Sequence, residues 1–549
     1  MRRSNYLAGL ELIEAPRHPA REYFAPLLES NNLILRVGAW CALLDREDLS
    51  FERHPEALAL CVHGAIRARA FRYFEANWEH GLAERASATF ASSEAEAELL
   101  AMRAELECDD ALAVEAQERR YLATGKVDAL FARVEAQERA RGWQSAVPLA
   151  VEALLVNPHE PAAAHLLLRL LYDGRDADGM DQVIEVLERT GLHPFIAMLY
   201  SAASCLCQND PQTCLDRLDV LARTQKARPD IAARSLPLAL QLHAEANETL
   251  GDYRKAYAAY SDLNAIEVGR PIPLDAFKTA MLTAGELAVP PLPLDVRTNH
   301  FVMTGFPRSG TTLLENVLDA HPAVETFEEL PSRAAMQVYL DRALPLIKDT
   351  ADAERVYLKA REKYYGESDR RRHKPAARVL IDKLPMRSAE AAFLAKLFPD
   401  KRYIFSIRHP FDVVLSCFKQ NFGRNVATEH FRRFDSAVGL YDFTMQQWFG
   451  TYAMDDPRVH YLRYDDLVTD FDASISGVLG FLGLQWDEHI RNFASLADAR
   501  SGRTPSYQKV RKGLTLGVQT SWRNYGFLFQ SPDAKPLYRW AEFFGYPTR

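Results

Sequence analysis

The 549-residue sequence is poor in cysteine and shows no pairing pattern. Its seven cysteines (Cys41, Cys61, Cys108, Cys205, Cys207, Cys214, Cys417) are odd in number, and no two stand at Cys-x-x-Cys spacing. A small disulfide-stapled scaffold is excluded and reduced thiols are expected. Long uncharged apolar runs are also missing. None approaches the roughly 18 residues of a membrane span, and the Arg2-Arg3 start is followed by Glu11, Glu14 and Arg17 before a signal-length hydrophobic stretch forms. The expectation is a soluble, cytoplasmic protein. Neither sign of charge is in large excess: Lys+Arg 66 against Asp+Glu 74 leaves a net charge of −8. Bulk nucleic-acid binding is therefore disfavoured, and an anionic ligand must be met by a local basic cluster. At 48% hydrophobic and 26% charged residues the composition is that of a globular chain, long enough for about three to four domains. Whole-chain disorder and a collagen-like fibre are excluded.

The two halves read differently. Residues 1–265 are rich in Ala, Leu, Glu and Arg, with apolar residues at helical spacing, as in Leu149, Ala153, Leu154 and Val156. Pro158, Pro194 and Pro229 fall 36 and 35 residues apart, each expected to close a helical stretch, and that period suggests helix-pair repeats. Ala146, Ala150, Ala153 and Pro158 resemble the second helix of a tetratricopeptide repeat, as does the stretch from Gly251 through Tyr253, Ala256 and Ala259 to Tyr260. The expectation is an all-α tetratricopeptide-like solenoid, clearest over 110–265, with a non-repeating helical bundle as the alternative. A Pro-rich linker at 266–297 (Pro271, Pro273, Pro290, Pro291, Pro293) is expected to be extended. Beyond it, short β-branched or aromatic runs at 301–304, 379–381, 403–407 and 459–462 each precede a loop and a helix. Strands alternating with helices predict an α/β domain over 298–549 built on a central parallel sheet.

After the first of these strands comes Gly305-Phe306-Pro307-Arg308-Ser309-Gly310-Thr311-Thr312, running into an apolar helix. A glycine-bounded loop between strand and helix aims backbone N–H groups and the positive end of the helix dipole at one point, which suits an anion. The two glycines have P-loop spacing, but Thr311 stands where the Walker lysine would be, which argues against a nucleotide kinase or ATPase. Arg308 supplies the charge instead. The strand at 403–407 delivers Arg408, and Ser416 follows eight residues later on the next helix, an Arg and a hydroxyl able to grip a second phosphate.

Pro307-Arg308-Ser309-Gly310-Thr311-Thr312, followed by Leu318-Asp319-Ala320-His321-Pro322 and Glu328-Glu329, with Arg408 and Ser416 downstream, resembles the sulfotransferase family over about 298–530, closest to tyrosylprotein sulfotransferases and bacterial tetratricopeptide-sulfotransferase fusions. The resemblance implies 3'-phosphoadenosine 5'-phosphosulfate (PAPS) as donor and no metal. Arg308, Ser309, Gly310, Thr311 and Thr312 would hold its 5'-phosphosulfate, and Arg408 with Ser416 its 3'-phosphate. Tyr464 matches a donor-contacting tyrosine. Arg511, Lys512 and Gly513, then Trp522 to Tyr525, are similar to the C-terminal basic loop that closes over the donor. Gln420 stands where the tyrosylprotein enzymes carry a further basic contact, with Lys419 as a candidate substitute. By family position Glu329 is the base, and Lys383 stabilises charge on the bridging oxygen; Arg308 assists both binding and catalysis. His321 and His409 are weaker candidates for the base, His321 read as a helix-end residue and His409 as a loop residue.

The resulting expectation is a PAPS-dependent sulfotransferase acting on a hydroxyl acceptor such as peptide tyrosine, a sugar or a small phenol. The repeats would recruit the acceptor, a protein partner or a second copy. The alternative is a tetratricopeptide scaffold whose C-terminal domain binds nucleotide without turnover. The presence of a base and a lysine together speaks against that reading.

Overall fold

The computed structural model describes residues 26–45, 51, 54–77, 92–107, 109–225, 229–266, 272–330, 332–494 and 521–548. The chain divides into two compact units, Met1–Asn157 and Pro158–Arg549. Among the described residues no helix is long and apolar enough to cross a membrane, and the six described cysteines are free thiols.

The first unit is helical: α1 (Leu33–Asp45), α2 (Gly64–Asn77), α3 (Ser93–Glu107), α4 (Asp110–Thr124), α5 (Val127–Arg141) and α6 (Trp143–Val156). Trp40, Phe51 and Phe74 centre one apolar cluster. On α6, Ala146, Ala150 and Ala153 are each fully buried, as the small-residue pattern predicts.

The second unit opens with α7 (Pro161–Asp173), α8 (Ala177–Thr190), α9 (Pro194–Cys207), α10 (Pro211–Gln225), α11 (Pro229–Thr249) and α12 (Tyr253–Asn264). Pro194 and Pro229 open helices where the sequence reading had them closing helices. The first turn of a helix has no partner for its N–H groups, so proline costs nothing there, and Gly191 in left-handed conformation is what ends α8. Helices α7, α9 and α11 touch one another in turn, as do neighbours along the chain. Leu274–Glu286 forms α13, where the proline content predicted extended chain. Pro273 precedes its first turn and Pro290, Pro291 and Pro293 follow its end, so none interrupts it.

The sheet follows. Among the described residues five parallel strands, β1 (His300–Gly305), β2 (Val324–Glu328), β3 (Val379–Lys383), β4 (Tyr403–Ile407) and β5 (Val459–Arg463), lie in the order β2-β3-β1-β4-β5. Helices α14 (Thr311–Asp319), α15 (Ser332–Ala343), α16 (Thr350–Arg370), α17 (Ala391–Leu397), α18 (Pro410–Lys419), α19 (Phe434–Phe449), α20 (Tyr464–Thr469), α21 (Phe471–Leu482), α22 (Gly526–Phe529) and α23 (Lys535–Phe543) complete the unit. All residues of β1, β3 and β4 are buried, as expected of parallel strands covered on both faces. In α14, Leu314, Val317 and Leu318 are fully buried between sheet and α21, each contributing about 1.5–3 kcal/mol.

Helix α12 belongs to this same packing. Tyr257 stacks on Phe418 at 5.2 Å, Tyr253 meets Tyr525 edge-on at 5.2 Å, and Asn264 Nδ2 donates to the Phe418 carbonyl at 2.8 Å. Helices read from the sequence as part of one array thus pack in one unit with the sheet. The chain entering β1 is pinned too: Lys401 Nζ donates to Asp295 at 2.9 Å and Arg361 to the Pro293 carbonyl at 2.7 Å.

Candidate active site

Because every strand is parallel, all five carboxyl ends open on one edge, and each delivers a residue singled out from the sequence. β1 leads into the phosphate loop, β2 into Glu329, β3 ends at Lys383, β4 leads into Arg408 and β5 into Tyr464. The chain leaves β1 toward β2 on one side and enters β4 on the other, so the loop lies at the switch point where open α/β sheets bind ligands.

The loop is held closely. Gly305, in register with Ser406, has φ 153°, and a Cβ there would stand 2.7 Å from the Ser406 carbonyl oxygen. Gly310 has φ 98°, and a Cβ would stand 2.4 Å from the Tyr464 ring. Arg308 between them adopts φ 72°, a left-handed conformation that costs a non-glycine residue about 1–3 kcal/mol. Both the hydroxyl and the N–H of Ser309 donate to the Phe306 carbonyl, at 2.6 and 3.2 Å, so Ser309 serves the shape of the loop. Thr311 and Thr312 begin α14 and are buried.

The two expected phosphate grips meet. Arg308 Nε donates to Ser416 Oγ at 3.0 Å, and Arg408 Nη1 donates to the Arg308 carbonyl at 3.2 Å while its guanidinium stacks 4.7 Å from the Tyr464 ring centroid. Burial pulls the Arg308 guanidinium below its usual pKa, and neighbouring Arg408 pushes the same way. Two half-buried arginines this near each other are stabilised by an anion beside them. The residues present fit a phosphorylated donor.

Lys383 lies on the other side of the loop helix. It is fully buried, and its Nζ is 3.1 Å from Glu315 Oε2, 3.3 Å from Glu328 Oε1 and 3.4 Å from Glu329 Oε1. Burial alone would lower the pKa of this ammonium. The three carboxylates, Glu315 foremost, more than reverse that and raise it above the ordinary lysine value. Glu329 has φ 49°, and its N–H donates to the Lys383 carbonyl at 2.8 Å, which fixes it just beyond the last register pair, Glu328 with Lys383.

Neither histidine can serve as the base. His321 accepts from the Ala323 N–H at 3.0 Å and its Nε2 lies 3.1 Å from the Gln485 carbonyl. His409 accepts from the Phe411 N–H at 3.2 Å, capping α18, with Nε2 at 2.8 Å from the Pro547 carbonyl. The expectation of an ordinary loop residue is corrected for His409: a cap was hidden because histidine is a rare helix cap.

Lys419, the candidate substitute for the contact lacking at Gln420, forms an ion pair with Glu248 of α11 and lies over the Tyr260 and Tyr525 rings. Both partners are about a quarter exposed, so Glu248→Gln is expected to cost under about 1 kcal/mol in urea unfolding. A loss several times larger would make the pair a principal tie between α11 and α18. Arg511, Lys512 and Gly513 lie outside the described residues. The Ser521 hydroxyl donates to Asp412 Oδ1 at 2.9 Å, and the Trp522 N–H donates to the same atom at 3.0 Å. The segment after the basic stretch is thereby tied to the start of α18, four residues from Arg408.

Two features escaped the sequence reading. Strand β2 carries Glu325 and Glu328, and such charge disguises a strand; Glu325 is nevertheless fully buried, paired with His373 at 3.0 Å. Glu315 had a signal in hindsight, being the one charged residue in the largely apolar stretch Leu313-Leu314-Glu315-Asn316-Val317-Leu318.

Residues 301–488 match the model of the sulfotransferase family, so the C-terminal half carries a sulfotransferase-family domain. The chain is 27% identical over 234 residues to an uncharacterized protein of Aquifex aeolicus (strain VF5), covering 40% of this chain and 30% of that one. It is 24% identical over 234 residues to protein-tyrosine sulfotransferase 2 of Gallus gallus, covering 40% of this chain and 61% of that one. It thus spans less than two thirds of either relative. Among solved structures, the sulfotransferase domain of the Synechococcus PCC 7002 olefin synthase aligns at 19% identity and TM-score 0.33, over 47% of this chain and 99% of that one.

Proposed function

We propose that the domain at 298–549 transfers a sulfuryl group from PAPS to a hydroxyl acceptor, and that the helices of 1–265 form a tetratricopeptide-like array that recruits the acceptor or a partner, in the cytoplasm. The observation that carries this reading is the Lys383–Glu329 pair at 3.4 Å beside an arginine-bearing phosphate loop that has no Walker lysine. Sulfuryl transfer is an in-line displacement, so the protein's tasks are positioning, charge neutralisation and proton removal. Glu329 takes the proton of the attacking hydroxyl. Lys383 donates to the oxygen that leaves sulfur. Arg308 and the N–H groups at the start of α14 hold the oxygens of the 5'-phosphosulfate, and Arg408 with Ser416 holds the 3'-phosphate. Tyr464, stacked on Arg408 and closed against Gly310, forms one wall of the donor site. The contacts assigned to Arg511, Lys512 and Gly513 belong to the same proposal.

Likeness to a protein-tyrosine sulfotransferase favours peptide tyrosine as acceptor, with sugars and small phenols as the other classes to screen. Calorimetric titration with PAP, the desulfated donor, tests the donor site, with Mg-ATP as the control. Tight PAP binding is expected, weakened about 10–100-fold by Arg308→Ala and by Arg408→Ala, the loss of one charge-assisted contact each. Preference for Mg-ATP, or no response to PAP, would sink the reading.

A further inference from the structure

Strands β4 and β5 end side by side at the register pair Ile407 and Arg463. The stacked pair assigned to the 3'-phosphate side of the donor site, Arg408 and Tyr464, follows directly, one step beyond the last pairing of the sheet, with the guanidinium 4.7 Å from the ring centroid.

The residues next to that pair are fixed by the far end of the chain. His409 Nε2 donates to the Pro547 carbonyl at 2.8 Å, and its ring lies 5.0 Å from that of Tyr546. Arg463 Nη1 donates to the Phe544 carbonyl at 3.1 Å, and its guanidinium lies 4.3 Å from the same Tyr546 ring. Tyr546, 7% exposed, therefore contacts both the residue after Arg408 and the residue before Tyr464. The turn that carries it is itself built in. Gly545, at φ 70°, ends α23 with its N–H donating to the Glu542 carbonyl at 3.0 Å, and the Tyr546 N–H returns to the Ala541 carbonyl at 2.8 Å, the bonding of a helix C-cap. Helix α23 in turn packs on α18, which carries Ser416.

We propose that Tyr546 and the terminal turn at 544–547 hold the 3'-phosphate grip in its anion-binding shape before the donor arrives. This rests on the assignment of the 3'-phosphate to Arg408 and Ser416 in the sulfuryl-transfer reading, and goes beyond it. A long side chain that must be ordered on binding subtracts from affinity, and one ordered in advance does not. Arg408 is backed by the Tyr464 ring, and the chain beside each of them is clamped by one further ring from the terminus. The loop at 305–312, by contrast, takes its shape from Gly305, Gly310 and the hydrogen bonds of Ser309. A defect in the terminal turn is felt first at the 3'-phosphate. Tyr546 is a positioning residue, acting through His409 and Arg463.

PAP and adenosine 5'-monophosphate differ only in the 3'-phosphate. Calorimetric titration of the full chain with each gives a ratio of affinities, and that ratio reads the 3'-phosphate grip, since a merely loosened fold weakens both nucleotides together. Tyr546→Ala is expected to lower the ratio about 3–10-fold, within the worth of the cation–π contact it removes. Tyr546→Phe keeps the ring and should keep the wild-type ratio. His409→Asn retains an acceptor for the Phe411 N–H, because asparagine caps helices well, and loses the tie to Pro547. A fall of about 2–10-fold is expected there, the range of one hydrogen bond. An unchanged ratio in Tyr546→Ala, or equal weakening of both nucleotides, would overturn the inference and leave the turn a packing element; the same outcomes in His409→Asn decide it should Tyr546→Ala not fold. A wild-type protein that binds PAP no better than the monophosphate would overturn the 3'-phosphate assignment, and one that binds neither would overturn the donor reading as a whole. Both are seen before any variant is made.

Discussion

Lys383→Met is expected to slow sulfuryl transfer about 10²–10³-fold, the cost of removing one preorganised donor from the place where charge develops. It should also destabilise the fold. Methionine takes the ammonium away from Glu315, Glu328 and Glu329, two of them buried or nearly so, and breaking a buried pair from one side costs about 3–5 kcal/mol. The two effects separate in Lys383→Met/Glu315→Leu, where the lysine and its buried partner go together. That double variant should recover much of the lost stability in urea unfolding and none of the rate. A single variant that keeps its rate within about three-fold, well short of the loss of a preorganised donor, would remove Lys383 from the chemistry.

Gly310→Ala should weaken PAP binding about 5–150-fold and lower Tm. Two costs combine. Alanine at φ 98° is strained, and its Cβ would stand 2.4 Å from Tyr464 Cδ2, so the ring that backs Arg408 must move. Backbone strain of this kind is worth about 1–3 kcal/mol, and where the loop relieves it by leaving its anion-binding shape the loss of affinity is about 5–150-fold. Adding Tyr464→Ala relieves the clash and leaves the strain. The double variant should therefore be less than additive in Tm, since contacting residues couple. Strict additivity would show that Tyr464 does not close on the loop.

Much of this arrangement is legible in the sequence, for reasons that differ by residue. The runs at 301–304, 379–381 and 403–407 stand out because a strand buried on both faces is largely apolar, and the run at 459–462 by its β-branched and aromatic residues although it is only partly buried; each lies within an observed strand. Gly305 and Gly310 announce the loop because no other residue fits those backbones. β2 is obscured by its two glutamates. Its charge is tolerated because Glu325 finds His373 and Glu328 finds Lys383, partners 48 and 55 residues away along the chain. Glu315 is obscured for the same reason: a buried acid makes sense only once its lysine is placed. The prolines mislead in the opposite way, since Pro194 and Pro229 carry the same local signal whether they close one helix or open the next.

The contacts between α12 and the end of α18 also govern how the gene can be dissected. A protein begun at residue 298 would leave Phe418, Tyr525 and Phe527 facing water in place of Tyr253, Tyr257 and Arg254, a continuous aromatic strip of the kind that promotes aggregation. One begun at Pro158 keeps each of these partners, so the fragment worth expressing starts well upstream of its own first strand.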